Sequence, residues 1–250
     1  MPNSIAVIIP LLALTFLVAF VYSSVGHGGA SGYLALLSFL SFPPEILSTS
    51  ALCLNLLVAG TAFWFFLRAS HFSWELTWPF TATSIPLAFI GGFLKIPPVF
   101  YSLLLACVLI FAGWRLIFDL SEVRQEYKSP SLRISLLMGG AIGILSGIVG
   151  VGGGIFLSPI LLIFHWADPK KTAATSSCFI LVNSLAGLLG RWARNGLQSN
   201  PLFMTLVVTA FFGGVIGSQL GANHLSGKWL KRILAGVLLI AAFKLLTPFF

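Results

Sequence analysis

Residues 149–154 read Val149-Gly150-Val151-Gly152-Gly153-Gly154, and an apolar run follows them directly. A related stretch, Val25-Gly26-His27-Gly28-Gly29-Ala30, lies 124 positions earlier and also precedes an apolar run. Glycine allows positive φ and the close approach of other atoms to the backbone. The two stretches therefore predict two broken helical segments, placed at equivalent positions of a duplicated chain.

Shorter matches extend the duplication on both sides of the glycine stretches. Ser48-Thr49-Ser50 corresponds to Ala174-Thr175-Ser176, and Ile90-Gly91-Gly92 corresponds to Ile216-Gly217-Ser218, both at a spacing of 126. Internal duplication of this kind is typical of secondary transporters. We predict a first transmembrane repeat over residues 1–118, a cytoplasmic linker over 119–133, and a second transmembrane repeat over 134–250.

The composition excludes a water-soluble fold. The chain of 250 residues is 58% hydrophobic and 8% charged, whereas a soluble domain has about 25% charged residues. So few charges cannot cover a surface that faces water, and lipid is the expected solvent. We predict an all-α, polytopic, multi-pass protein of the cell membrane. The net charge of +8 is explained by basic residues in cytoplasmic loops, and nucleic acid is not an expected partner.

Ten apolar segments are predicted, five in each repeat. They cover residues 5–25, 31–42, 46–67, 77–94 and 98–118, and then 134–149, 154–166, 172–193, 202–222 and 228–247. A helix needs about 20 residues to cross the hydrocarbon, so 31–42 and 154–166 are too short to span alone. Each of these two follows a glycine stretch and is predicted to be a half-helix.

The distribution of basic residues favours an odd number of crossings in each half. If each helix and each half-helix counts as one crossing, the basic residues divide ten to four between the two sides. One side holds Arg68, Arg115, Arg124, Lys128, Arg133, Lys170, Lys171, Lys228, Lys231 and Arg232, and the other holds Lys95, Arg191, Arg194 and Lys244. This positive-inside bias favours five crossings in each half. Because five is an odd number, the second repeat would enter the membrane from the side opposite to the first and would be inverted relative to it.

The glycine stretches are also candidate anion-binding sites. A helix that begins after such a stretch presents unpaired N–H groups and the positive end of its dipole. Hydroxyl groups at matched positions of both halves could complete the shell. The predicted binding residues are Gly26, His27, Gly28, Gly29, Ser31, Thr49, Ser50, Gly150, Gly152, Gly153, Gly154, Thr175 and Ser176. The alternative is that these glycines only allow close helix packing and that the hydroxyls bond to their own helices.

We expect the anion to lie near the middle of the membrane, between the two half-helix N-termini. A bulky residue at Gly28 or Gly153 is then expected to abolish binding while the protein stays folded. His27 could carry a coupling proton or could line the pore as a neutral group. Arg191 and Arg194 are candidates for attracting an anion at the outer mouth, or for ordinary positions at the membrane interface.

These features predict a secondary transporter for a small anion. An anion channel and a non-transporting membrane scaffold are the alternatives. The chain lacks the motifs HExxH and GxSxG, so we do not expect an enzyme, and neither a metal nor a cofactor is expected. The substrate, the direction of transport, the coupling ion and a homo-oligomeric state stay open.

At the glycine stretch 150–154, with Pro159 after it, and at Ala174-Thr175-Ser176, the chain resembles the sulfite exporter TauE/SafE family, also called the 4-toluene sulfonate uptake permeases. The resemblance covers about residues 10–247. It implies a bacterial or archaeal membrane transporter for sulfite, a sulfonate or another sulfur-containing anion. His27 and Ala30 interrupt the glycine run of the first half, where the chain departs from the pattern of the second.

Overall fold

The computed structural model describes residues 5–38, 44–94, 110, 127–196 and 203–226, together with scattered residues between 228 and 243. No strand is present in this part of the chain. The helices are α1 (Ile5–Ser24), α2 (Ala30–Ser38), α3 (Pro44–Arg68), α4 (Trp74–Phe93), α5 (Leu132–Val149), α6 (Gly154–Ile163), α7 (Pro169–Asn195) and α8 (Phe203–Asn223). Of the predicted segments, 98–118 and most of 228–247 lie outside the described residues.

The prediction of an all-α, polytopic membrane protein is confirmed. Among the described residues, four helical stretches are long and apolar enough to cross a membrane: Thr49–Arg68, Leu132–Val149, Pro169–Arg194 and Phe203–Asn223. Many large apolar side chains point outward, among them Leu137 on α5 and Met204 on α8, which are 75% and 68% exposed. Such surfaces are stable in hydrocarbon and would be costly in water.

Polar side chains fix where several helices begin. Ser73 and Ser131 accept hydrogen bonds from the backbone of the first turns of α4 and α5, and Asp168 accepts from the N–H groups of Lys170 and Lys171 at the start of α7. These N-caps satisfy donors that have no partner within the helix. Helix α5 consequently begins at Leu132, two residues inside the segment predicted as linker.

Both short helices follow the glycine stretches directly. Helix α6 has 10 residues and α2 has nine described residues. Helix α6 ends before the predicted limit of 166, because the Trp166 N–H bonds back to the Leu161 carbonyl and His165 takes a φ of 54°. Residues 39–43, which include the predicted end of the first half-helix, are outside the described part.

Small residues bring helices of the two halves together. Helix α1 packs along α8, and α4 packs along α5, with glycines in the contact that leave no room for a Cβ atom. In lipid, where burial of apolar surface gives no net gain, such close backbone approach is a main source of helix association. The contacts are Gly213–Phe16, Gly217–Phe20, Gly221–Ser24, Gly139–Phe80, Gly143–Ser84 and Gly147–Ala88.

Helices α3 and α7, the two longest in the described part of the chain, run antiparallel to each other. Leu52 lies beside Gly187, Asn55 bonds to Ser184, and Phe66 packs against Ala173. An inverted duplication would give equivalent helices this antiparallel relationship. Two repeats of five segments stay a prediction, because the fifth segment of each half lies largely outside the described residues.

Several loops meet at one end of the bundle. The His71 ring nitrogen Nε2 and the Lys170 ammonium both bond to the Ala222 carbonyl, at 3.2 and 3.1 Å, and the Lys128 N–H bonds to the His165 carbonyl. Arg194, on the last turn of α7, lies at the other end. This separation matches the two groups of basic residues, and the assignment of the first end to the cytoplasm stays a prediction.

Candidate functional site

The second glycine stretch turns the chain back from α5 into α6. Gly150 caps α5 with a φ of 81°, and Gly152 and Gly153 take φ of 75° and 82°, which other residues rarely adopt. Gly153 is the N-cap of α6 and makes no side-chain cap. Within the described part of the chain, the backbone N–H groups of Gly152, Gly153, Gly154 and Ile155 have no hydrogen-bond acceptor. All four residues are buried.

The first glycine stretch makes a similar turn between α1 and α2. Gly26 and Gly29 have φ of 76° and 90°. The Ala30 N–H bonds to Asn55 Oδ1 at 3.2 Å, whereas the N–H groups of Gly28 and Gly29 have no acceptor among the described residues. Two buried helix N-termini, each with unpaired donors and a positive dipole end, are therefore present.

Asn55 connects the two glycine stretches. It lies near the middle of α3 and is 1% exposed. Its Oδ1 accepts from Ala30 of the first stretch, while its Nδ2 donates to the Val151 carbonyl of the second at 3.3 Å and to Ser184 Oγ on α7 at 3.0 Å. The two N-termini thus converge on one side chain at mid-helix depth.

Asn55 lies close in sequence to Thr49 and Ser50 and offers a similar hydrogen-bond donor, but it is not among the binding residues predicted from the sequence. A signal was present, since an amide in the middle of a long apolar helix is costly unless it is fully hydrogen-bonded. The sequence does not identify the hydrogen-bond partners of Asn55, which lie 25 to 129 positions away along the chain. Only the antiparallel register of α3 and α7 brings Ser184 to Asn55.

The glycines are also required by close packing. A Cβ atom added at Gly28 or at Gly152 would overlap the Asn55 side chain, and one at Gly153 would lie 2.7 Å from the Phe179 ring. A bulky residue at these positions must therefore displace Asn55 or Phe179, and it would disturb the fold as well as any ligand. The expectation that such variants lose binding but stay folded is not supported by this geometry.

His27 lies at the end of a chain of three polar side chains that crosses between the halves. It is 2% exposed, and its Nδ1 lies 3.1 Å from the Val25 carbonyl. Its Nε2 lies 3.4 Å from Ser158 Oγ on α6, which in turn lies 2.6 Å from Ser176 Oγ on α7. Of the predicted hydroxyls, Ser176 is therefore linked to His27 through Ser158.

The two Thr–Ser pairs do not form one shell. Thr49 precedes Asn55 by six residues and Ser176 precedes Ser184 by eight, which correspond to about 9 and 12 Å of helix. Because α3 and α7 are antiparallel, the pairs lie on opposite sides of the Asn55–Ser184 contact. Thr175 Oγ1 accepts a 3.4 Å bond from Thr77. Thr49 and Ser50 are buried.

Two further predicted positions have structural partners. The Ser31 hydroxyl pairs with the Tyr22 hydroxyl at 2.9 Å.

Arg191 is only 9% exposed, and its Nη2 donates to the carbonyls of Gly147 and Ile148 at 3.2 and 3.0 Å. Of the two interpretations given for Arg191, this burial favours a structural role over the attraction of anions at the mouth, because the guanidinium binds the negative end of the α5 dipole. Arg194 donates to the Leu94 carbonyl at 3.4 Å.

Comparisons with known proteins agree on the kind of protein. A family model described as "Sulfite exporter TauE/SafE" matches residues 11–245. The chain is 35% identical over 237 residues to the "Probable membrane transporter protein y4hK" of Sinorhizobium fredii, covering 92% of this chain and 95% of that protein. A protein of Methanocaldococcus jannaschii, also named a probable membrane transporter protein, is 24% identical over 68% of this chain and 67% of its own length. No solved structure matches the chain.

Proposed function

Because the chain belongs to the sulfite exporter TauE/SafE family and is a multi-pass membrane transporter, we propose that it is a secondary transporter for a small sulfur-containing oxyanion or sulfonate, located in the cytoplasmic membrane. The observation that carries the proposal is the pair of buried helix N-termini whose N–H groups have no acceptor among the described residues. Donors of this kind are expected to bind an anion.

The charge of the site suits a carrier. Helices α1, α2 and α6 contain no charged residue. Each helix N-terminus contributes the equivalent of about half a positive charge, so two of them offset much of the charge of a monoanion. A site without Lys or Arg in direct contact can release its anion again, as transport requires.

The geometry favours a small anion rich in oxygen acceptors. The N–H groups of Gly152, Gly153, Gly154 and Ile155 follow one another along the backbone, and several can point at one group of oxygens, as in other backbone anion sites. The surroundings are close-packed, with Asn55 and Phe179 against the glycines. The three oxygens of sulfite or of a sulfonate head would meet several donors at once.

Flux in proteoliposomes tests the proposal. Uptake of radiolabelled sulfite, thiosulfate and methanesulfonate would be measured against empty vesicles, with chloride as a competitor. We expect saturable uptake of at least one sulfur anion. Flux that does not saturate with anion concentration, together with permeation of chloride, would indicate an anion channel. The absence of flux for all of these anions would indicate a non-transporting scaffold.

A matched pair of variants tests the N–H groups themselves. Ile155→Pro removes one unpaired N–H in the first turn of α6, where proline is tolerated, and Gly154 before it has no Cβ to clash with the ring. Ile155→Ala removes buried side-chain bulk but keeps the N–H. We expect Ile155→Pro to weaken apparent affinity for the anion at least tenfold more than Ile155→Ala. Equal effects would argue that the N–H does not contact the anion.

A further inference from the structure

We propose that His27 takes up one proton when the anion binds, so that the protein moves the anion together with a proton. This inference rests on the proposed function, because it needs an anion at the two helix N-termini. It assigns the coupling ion, and it makes His27 a proton-binding residue with a defined place in the transport cycle.

The hydrogen bonds of His27 fix which nitrogen can change its protonation. Nδ1 faces the Val25 carbonyl, which can only accept, so Nδ1 carries the hydrogen in the neutral ring. Nε2 then has a free lone pair, and it faces the Ser158 hydroxyl, which can either donate or accept. A proton added to Nε2 therefore needs only a rotation of the Ser158 O–H, whose hydrogen can turn to Ser176 Oγ or to the anion.

Among the side chains that the structure describes, no charged group pairs with His27. Helices α1, α2 and α6 contain no charged residue, and the titratable groups on them are Tyr22 and Tyr33. The ionisable residues of α3 and α7 are Cys53 and Cys178 and, towards the helix ends, Glu45, Arg68, Lys170, Lys171, Arg191 and Arg194. Lys170 and Arg191 bond to carbonyls of α8 and α5. The balance of charge around His27 is therefore set by the helix dipoles and by what binds there.

Anion and proton then stabilise each other. Without an anion, a protonated His27 would be a buried cation close to the positive ends of α2 and α6, which is unfavourable. Without a proton, the anion would meet dipole ends but no full countercharge. When both are bound, the pair adds no net charge to the buried site for a monoanion. The gain is reciprocal, because each ligand raises the affinity for the other by the same factor.

The duplication sets the expected stoichiometry. Val151 stands at the position of the second stretch that corresponds to His27, so the second half supplies no equivalent imidazole. His71, His165 and His224 lie in loops or turns at the end of the bundle where the loops meet. We therefore expect one proton per anion and per chain.

The test uses methanesulfonate as the probe, because a sulfonate stays fully ionised in the working pH range and cannot itself carry the proton, as sulfite could. Proteoliposomes contain a trapped pH-sensitive dye. Equal potassium concentrations on both sides, with valinomycin, clamp the membrane potential near zero. A potential generated by anion flux therefore cannot drive protons across the membrane. An inward methanesulfonate gradient is applied, and labelled uptake and internal pH are recorded together.

We expect the wild-type vesicles to acidify inside, with a proton-to-anion ratio of about one from the proposed stoichiometry, and a protonophore to abolish the acidification. His27→Gln keeps hydrogen-bonding capacity but cannot be protonated, and it should lose at least nine-tenths of the protons moved per anion. His224→Gln, on an exposed turn, is the matched control and should keep the wild-type ratio.

The possible results separate the two proposals. Wild-type methanesulfonate flux without acidification would overturn proton coupling and leave the transport function standing. Acidification that persists unchanged in His27→Gln would overturn the role of His27. Absence of flux of methanesulfonate, sulfite and thiosulfate in wild-type vesicles would overturn the proposed function and this inference with it.

Discussion

Asn55 Nδ2 lies 3.0 Å from Ser184 Oγ, and this bond joins the middles of α3 and α7, the two longest helices among the described residues. The same amide group also bonds to the Ala30 N–H and to the Val151 carbonyl. The Asn55 side chain therefore holds the N-termini of the two short helices, α2 and α6, at a fixed separation. A change at this residue should affect stability and transport together, because it releases both helix N-termini.

We expect Asn55→Ala to destabilise the protein by about 1–3 kcal/mol, because it leaves the buried Ala30 N–H without an acceptor. Ser184→Ala removes one bond only and should cost about 1 kcal/mol or less. Thermal unfolding in detergent, followed by fluorescence-detected gel filtration, would rank the two variants. Equal midpoints of thermal unfolding for Asn55→Ala and the wild type would contradict the proposal that Asn55 connects the two glycine stretches.

Two glycines in helix interiors should respond to alanine in opposite ways. A Cβ at Gly147 would overlap the backbone of Ala88 on α4, whereas a Cβ at Gly60 would meet only Leu181 Cδ1 at 3.5 Å. Gly147→Ala should therefore separate α4 from α5 and lower the midpoint of thermal unfolding. Gly60→Ala should be neutral or stabilise by up to about 1 kcal/mol, since alanine favours a helix over glycine. A destabilised Gly60→Ala would show that this contact is tighter than described.

Arg191 and Arg194 should differ in their dependence on salt. Arg191 is buried and bonds to the carbonyls at the end of α5, so Arg191→Ala should lower thermal stability to the same extent at low and high salt. Arg194 is partly exposed, so Arg194→Ala should leave stability nearly unchanged, and any loss of uptake should shrink at high salt. A salt-dependent stability loss in Arg191→Ala would place that side chain in contact with solvent.

Accessibility of single cysteines would test the arrangement of loops. In a background with Cys53, Cys107 and Cys178 replaced, Lys128→Cys and His224→Cys should react with a membrane-impermeant maleimide from the same side, and Arg194→Cys from the opposite side. The positive-inside bias predicts that the side of Lys128 is cytoplasmic. Labelling of Lys128→Cys and His224→Cys from different sides would refute the path of the chain described above.

The sequence alone determined the class of fold and the two breaks in it. Apolar composition and helix length are local properties, so the all-α membrane fold and most helix limits follow from them without knowledge of packing. The glycine stretches act in the same way, because positive φ at Gly152 and Gly153 is a requirement of the local backbone. The start of a new helix after each stretch was therefore predictable.

Only the tertiary structure decided which side chains meet at the site. Asn55, Val151 and Ser184 are brought together by the antiparallel register of α3 and α7, and the same register places Thr49 and Ser176 on opposite sides of the centre. The burial of Arg191 against α5 also depends on how α7 is rotated about its axis. In lipid both faces of a helix are apolar, so the sequence pattern does not specify that rotation or register, and contacts between small residues set them instead.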